Sequence, residues 1–203
     1  MIGFYNYTVL MTYFSLLISS VGLCFAVIGR PAEALFCMLF SGICDMLDGK
    51  IARKYNLVTD FGKLMDPLAD KFMVIGAMTA IVYRMATLFD GAHMALFTIT
   101  LLIVIFRELA VTSLRLVASS SGGKVVAANL LGKIKTVTQI AFVAIAIMEP
   151  LIYGIEGVKN SMNPWWIQNL PISYGLAALT VIFTIWSGAN YFVGLWKYLD
   201  PEK

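Results

Sequence analysis

The sequence predicts an all-α integral membrane protein with six transmembrane helices, and three observations predict it. Of its 203 residues, 60% are hydrophobic and 13% charged, with a mean hydropathy of +0.82. An ordinary soluble domain is about half apolar and about a quarter charged. Apolar stretches long enough for a ~30 Å hydrocarbon core, about 20 residues at 1.5 Å rise each, recur six times. Lysines and arginines gather at the ends of those stretches, where membrane proteins keep them. The length fits one six-helix domain over residues 1–203, and a net charge of +3 is too small to imply a nucleic-acid partner.

The spans fall near 8–28, 32–53, 62–84, 92–117, 127–153 and 172–197. Gly29, Arg30 and Pro31 break the first from the second, and residues 54–60 form a short polar turn after the second. Asp90 with Gly91, and the stretch from Ser119 to Gly123, mark the next two breaks. Residues 154–171, carrying Gly154, Gly157, Pro164, Trp165, Trp166 and Pro171, form the longest connection, with the tryptophans as outer-interface anchors. With six spans, both termini share one side with the second–third and fourth–fifth connections. Arg30, Arg84 and Lys159 fall on the opposite side, leaving twelve of the fifteen basic residues with the termini. The termini are therefore expected in the cytoplasm. The first apolar run has no basic leader and no small-residue cleavage site, so no cleaved signal peptide is expected. Cys24, Cys37 and Cys44 stand singly without CxxC spacing and read as small core residues.

Four carboxylates break this apolar pattern. Asp45, Asp48, Asp66 and Asp70 lie within 26 residues, inside the second and third spans. A carboxylate at membrane depth costs roughly 2.5–3.5 kcal/mol on insertion scales, so something must bind it. Counting from the cytoplasmic helix ends, Asp48 and Asp66 lie ~7–9 Å deep and Asp45 and Asp70 ~13 Å deep. An i,i+3 pair on one helix and an i,i+4 pair on the next each occupy one face. Facing carboxylate pairs in a bundle are a recurrent way to hold two divalent cations. The donors are hard oxygens, which favours Mg²⁺ or Mn²⁺ over zinc or copper. Two such ions offset four like charges and suit phosphoryl chemistry. Gly49 and Gly62 allow close backbone approach beside Asp48 and Asp66, and Arg53 lies at the interface for a phosphate or nucleotide. Ion pairing with Lys50, Arg53, Lys63 and Lys71 is a poorer account, because those lysines are better placed reaching water.

The pattern D-x₂-D-G-x₂-A-R-x₈-G-x₃-D-x₃-D, running from Asp45 to Asp70, resembles the signature of the CDP-alcohol phosphotransferase family. The resemblance implies a six-helix membrane bundle, usually a homodimer, with a binuclear Mg²⁺ or Mn²⁺ site open to the cytosol. It implies transfer of a phosphatidyl or similar group from a CDP-linked donor to an alcohol, with release of CMP. Carried onto this chain, Asp45, Asp48, Asp66 and Asp70 are metal ligands and Asp70 is also the general base. Gly49, Ala52, Arg53, Gly62 and Thr12 line the CDP moiety.

The second half bears on the acceptor. Arg107 and Glu108 interrupt an otherwise apolar run, Arg115 follows eight residues later, and Lys133 and Lys135 open the fifth span. Guanidinium and ammonium groups gathered there fit an anionic acceptor through charge-assisted bonds to phosphate. These residues, with Ser187 and Tyr191 in the last span, resemble the branch of the family that uses glycerol 3-phosphate. The resemblance implies that Arg107, Arg115, Lys133 and Lys135 hold the acceptor's phosphate, and that its hydroxyl attacks CDP-diacylglycerol to give phosphatidylglycerophosphate and CMP. The first span departs from that branch, with Val9, Thr12 and Ser15 where Asn, Thr and Arg are usual; serine, inositol or inositol phosphate are the other acceptors. The expected setting is the cell membrane, multi-pass among membrane lipids, with the site facing the cytoplasm.

His93, the only histidine, reads as structural. Glu149 with Pro150 reads as an outer turn feature, and Glu33 as a favourable charge at a helix start. A cation transporter is the competing class. Against it, the acids cluster near one face instead of the midplane, and no inverted repeat is visible. An inactive scaffold is the third class, and the intact tetrad argues against it.

Overall fold

The computed structural model describes residues 2–54, 60–89, 91–120 and 130–196, and every regular element among them is helical. The long helices are α1 (Ile2–Ile28), α2 (Pro31–Lys54), α3 (Asp60–Leu88), α4 (Gly91–Ser120), α5 (Leu130–Tyr153) and α8 (Pro171–Leu195). Two six-residue helices, α6 (Glu156–Ser161) and α7 (Pro164–Asn169), occupy the long connection. Four spans among the described residues are long and apolar enough to cross a membrane: Lys71–Leu88, Gly91–Val117, Leu130–Tyr153 and Pro164–Gly194. Shorter apolar stretches, Tyr13–Ile28 and Pro31–Cys44, lie in α1 and α2. Large apolar side chains such as Phe106, Leu116 and Val193 are at least 70% exposed, which suits a hydrocarbon solvent. The chain divides into two compact units, Met1–Leu88 and Phe89–Lys203.

In the first unit, local backbone chemistry sets the turn between α1 and α2. Gly29 adopts φ +90, and the Arg30 amide donates to the Phe25 carbonyl at 2.9 Å. That is a Schellman stop, which needs a left-handed residue at the position after the cap. Pro31 then opens α2, where its missing N–H costs nothing. Glu33 lies in the first turn of α2 and, beyond the dipole interaction expected of it, pairs with Arg30 at 2.6 Å. α1 packs against both α2 and α3. Ala26, Ala34 and Ala80, one from each helix, form a buried cluster flanked by Leu23 and Phe25. Small side chains let helix backbones approach closely where lipid offers no hydrophobic drive. Ser41 Oγ donates to the Ser15 carbonyl at 2.7 Å across α1 and α2. Ser15 therefore sits in the packed seam between α1 and α2. The cysteines are free, and Cys24 is exposed instead of buried as expected.

In the second unit, α8 packs against both α4 and α5. Its buried face is a seam of Ser173, Ala177, Thr180, Thr184, Ser187 and Tyr191, each at most 4% exposed. Their alternating spacing of four and three keeps one stripe of a helix turned to its neighbours. Thr180 Oγ1 donates to the Thr138 carbonyl of α5 at 3.2 Å. Aromatic contacts close one end: Phe97 stacks on Phe142 at 5.4 Å, and Tyr174 meets Phe97 edge-on at 5.9 Å. His93 is buried there, stacked on Phe89 at 4.9 Å and edge-on to Tyr174 at 5.4 Å, a structural role as expected.

Glu149 does more than mark a turn. It is 3% exposed and reaches from α5 to the start of α8. Its carboxylate accepts from the Ile172 amide at 3.2 Å, the Ser173 amide at 2.7 Å, the Ser173 hydroxyl, and Tyr153 Oη at 3.0 Å. A carboxylate at a helix N-terminus satisfies orphan N–H groups and meets the favourable end of the helix dipole. Leu170, fully buried with φ +44, makes the corner between α7 and α8. Trp165 and Trp166 are exposed on α7, which starts at an Asn163 cap, as interfacial anchors should be.

Candidate active site

The aspartate signature occupies two helices of one unit. Asp45, Asp48, Gly49, Ala52 and Arg53 lie on α2; Gly62, Asp66 and Asp70 lie on α3; Thr12 lies on α1. Their side chains lie outside the described residues. The backbone is helical through both aspartate pairs, the condition under which i,i+3 and i,i+4 side chains share a face. Among the described residues no group of three or more His, Cys, Asp or Glu could hold a metal ion. The signature carboxylates are the cation donors expected from sequence, and an all-oxygen donor set fits Mg²⁺ or Mn²⁺.

The second unit gathers a basic cluster in full side-chain detail. Arg107 and Glu108 project from α4, Lys135 from α5, and Ser187 and Tyr191 from the buried seam of α8. Arg107 Nη1 donates to Glu108 Oε1 at 3.2 Å, and its Nη2 donates to Ser187 Oγ at 2.6 Å. Lys135 Nζ binds the same Glu108 oxygen. The three charged side chains are 6–14% exposed. Charges this buried persist when they are paired and hydrogen-bonded. Two turns along α4, Arg115 Nη2 donates to Tyr191 Oη at 2.6 Å. Both guanidiniums lie against the Tyr191 ring, Arg107 at 5.6 Å and Arg115 at 4.7 Å from its centroid. Gly188 makes room for the Arg107 stem, since a Cβ there would stand 3.3 Å from Arg107 Cγ.

Three of the four basic residues expected at the acceptor phosphate are thereby brought together. Lys133, one register step from buried Lys135, is exposed and stands outside this set of contacts. Among the described residues Glu108 lowers the cluster's charge: with Arg107 and Lys135 it leaves one positive charge, and Arg115 adds another. Arg107 Nε is buried without a hydrogen-bond partner, a donor of the kind that functional sites keep available. Sequence reasoning gave Ser187 and Tyr191 no individual role. The signal that finds them is the four–three spacing of small and hydroxyl residues along α8.

The family profile described as CDP-alcohol phosphatidyltransferase matches residues 5–186. A Bacillus subtilis protein named CDP-diacylglycerol–glycerol-3-phosphate 3-phosphatidyltransferase is 38% identical over 81% of this chain and 74% of its own length. An Arabidopsis thaliana protein with that name, numbered 2, is 32% identical over 84% of this chain and 70% of its own. A rice (Oryza sativa subsp. japonica) protein named cardiolipin synthase (CMP-forming) is 33% identical over 79% of this chain and 47% of its own. The profile match alone spans most of both units, so the chain belongs to the CDP-alcohol phosphatidyltransferase family.

Proposed function

We propose that this protein transfers the phosphatidyl group of CDP-diacylglycerol to glycerol 3-phosphate, giving phosphatidylglycerophosphate and CMP. The carrying observation is the basic cluster of Arg107, Lys135 and Arg115, which exceeds its resident carboxylate by two charges. A phosphomonoester carries about −1.5 to −2 near neutral pH, so it matches that excess. Serine and inositol bring no such charge. The names of the bacterial and plant relatives point the same way.

In this reading Asp45, Asp48, Asp66 and Asp70 hold two Mg²⁺ or Mn²⁺ ions. When bound, those ions neutralise the donor pyrophosphate and stabilise CMP as it leaves. Asp70 takes the proton from the attacking hydroxyl, which then bonds to the β-phosphorus as the bond to CMP breaks. Gly49, Ala52, Arg53, Gly62 and Thr12 line the CDP moiety. Arg107, Arg115, Lys133 and Lys135 orient the acceptor through its phosphate, with Lys133 drawing it in from the exposed side. Both units act as one catalytic domain over residues 1–203, supported by a family match that crosses both. Six apolar stretches and the charges that flank them support six spans with cytoplasmic termini and a cytoplasm-facing site, with the cell membrane as the setting in this reading. A homodimer is the assembly proposed.

The test is an acceptor panel with purified protein, CDP-diacylglycerol and Mg²⁺ or Mn²⁺, reading CMP release and lipid product. Glycerol 3-phosphate should give turnover, and serine, inositol, inositol phosphate and phosphatidylglycerol should give little. Phosphatidylglycerol, an alcohol that already carries a phosphodiester, is the sharpest competitor in the panel. Preference for it, or for a neutral alcohol, would overturn the acceptor assignment while leaving the family intact.

A further inference from the structure

We propose that Tyr191 is a positioning residue, fixing Arg107 and Arg115 relative to each other so that the two guanidiniums together receive the acceptor's phosphomonoester dianion. The inference rests on the acceptor reading above and names what builds that site. Arg107 and Arg115 are eight residues apart on α4, ~12 Å along the helix axis. Nothing in α4 itself brings their head groups to a common target. A single ring from α8 does, lying 5.6 Å from one guanidinium carbon and 4.7 Å from the other. The electron-rich face of a phenol attracts both cations and offsets their mutual repulsion.

The hydroxyl adds direction to that attraction. Tyr191 Oη accepts from Arg115 Nη2 at 2.6 Å, which fixes the plane of the guanidinium and aims its remaining donors. Arg107 is fixed from the other side, by Glu108 on Nη1 and Ser187 on Nη2. The ring itself has little freedom: Tyr191 is 4% exposed, and a Cβ on Gly132 of α5 would stand 3.8 Å from its hydroxyl. Arg115 forms no ion pair among the described residues, and its contacts there are to Tyr191. A forked, pre-oriented guanidinium of this kind is what bidentate phosphate recognition needs.

The test compares Tyr191→Phe with Arg115→Ala in the full-length protein, with glycerol 3-phosphate as the varied substrate. Tyr191→Phe keeps the ring and its packing and removes one hydrogen bond to a charged group. It should raise the acceptor KM about 10-fold, with kcat and the CDP-diacylglycerol KM changing far less. Arg115→Ala should raise the acceptor KM more. An unchanged acceptor KM in Tyr191→Phe beside a raised one in Arg115→Ala overturns the positioning role and leaves the acceptor site standing. No change in either variant removes the acceptor site as well. A fall in kcat with both KM values altered marks Tyr191 as packing and also overturns the proposal. Should Tyr191→Phe fail to fold, Arg115→Lys decides: it keeps charge and ring contact without the fork, and a normal acceptor KM contradicts the inference.

Discussion

Asp70 and Glu149 differ in how much of a carboxylate's expected role can be read from sequence. Asp70 belongs to a spacing pattern that sequence alone singles out, because i,i+3 and i,i+4 acids on successive helices have few other uses. Its replacement by Asn should lower kcat by at least about 100-fold, the lower end of what a general base contributes. Retained CDP-diacylglycerol binding with near-normal turnover would remove it from that role. Glu149 is equally conspicuous in sequence, yet its partners Ile172 and Ser173 lie on another helix. Nothing in its neighbourhood announces a cap 24 residues away. Glu149→Gln replaces an acceptor with an amide that opposes the α8 N–H groups. Stability should fall by about 2 kcal/mol, read as a lower Tm in detergent. Lys133 and Lys135 mark the same limit: one is exposed and one buried, and a mostly apolar helix gives little hydropathy contrast from which to read its phase.

Among the helices, boundaries were more legible than contacts. Gly29 with Pro31 gives the first stop and start, because proline and left-handed glycine have few permitted places. The seam of α8 is also readable once its four–three spacing is noticed. The partners of each face are not, since lipid and protein both accept Leu and Phe. The contact between α1 and α2 illustrates this: a Cβ on Gly22 would stand 2.9 Å from Cys37 Cβ and 3.3 Å from the Ala34 carbonyl oxygen. Gly42, on α2, has nothing within 4 Å of its added Cβ. Gly22→Val should therefore cost about 1–3 kcal/mol through overpacking. Gly42→Ala should be neutral, or stabilising by up to about 1 kcal/mol through helix propensity. Thermal unfolding of the two variants in one detergent tests the contrast. Equal losses would place the α1–α2 contact elsewhere.

For the whole molecule, composition announced a membrane protein and the aspartate spacing announced its family before any fold was considered. The acceptor was harder to read, because its charge balance depends on Glu108 meeting Lys135 across 27 residues and two helices. The account as a whole turns on the carboxylates of α2 and α3 jointly holding two divalent cations that the phosphatidyl transfer needs. The direct measurement is an Mn²⁺ titration of purified, metal-stripped protein by electron paramagnetic resonance, with CMP release followed on the same samples. The natural protein should bind two Mn²⁺ per chain and regain turnover as they bind, and Asp66→Asn should lose both an ion and the activity. Full turnover after metal stripping, or two ions still held by Asp66→Asn, would contradict the account.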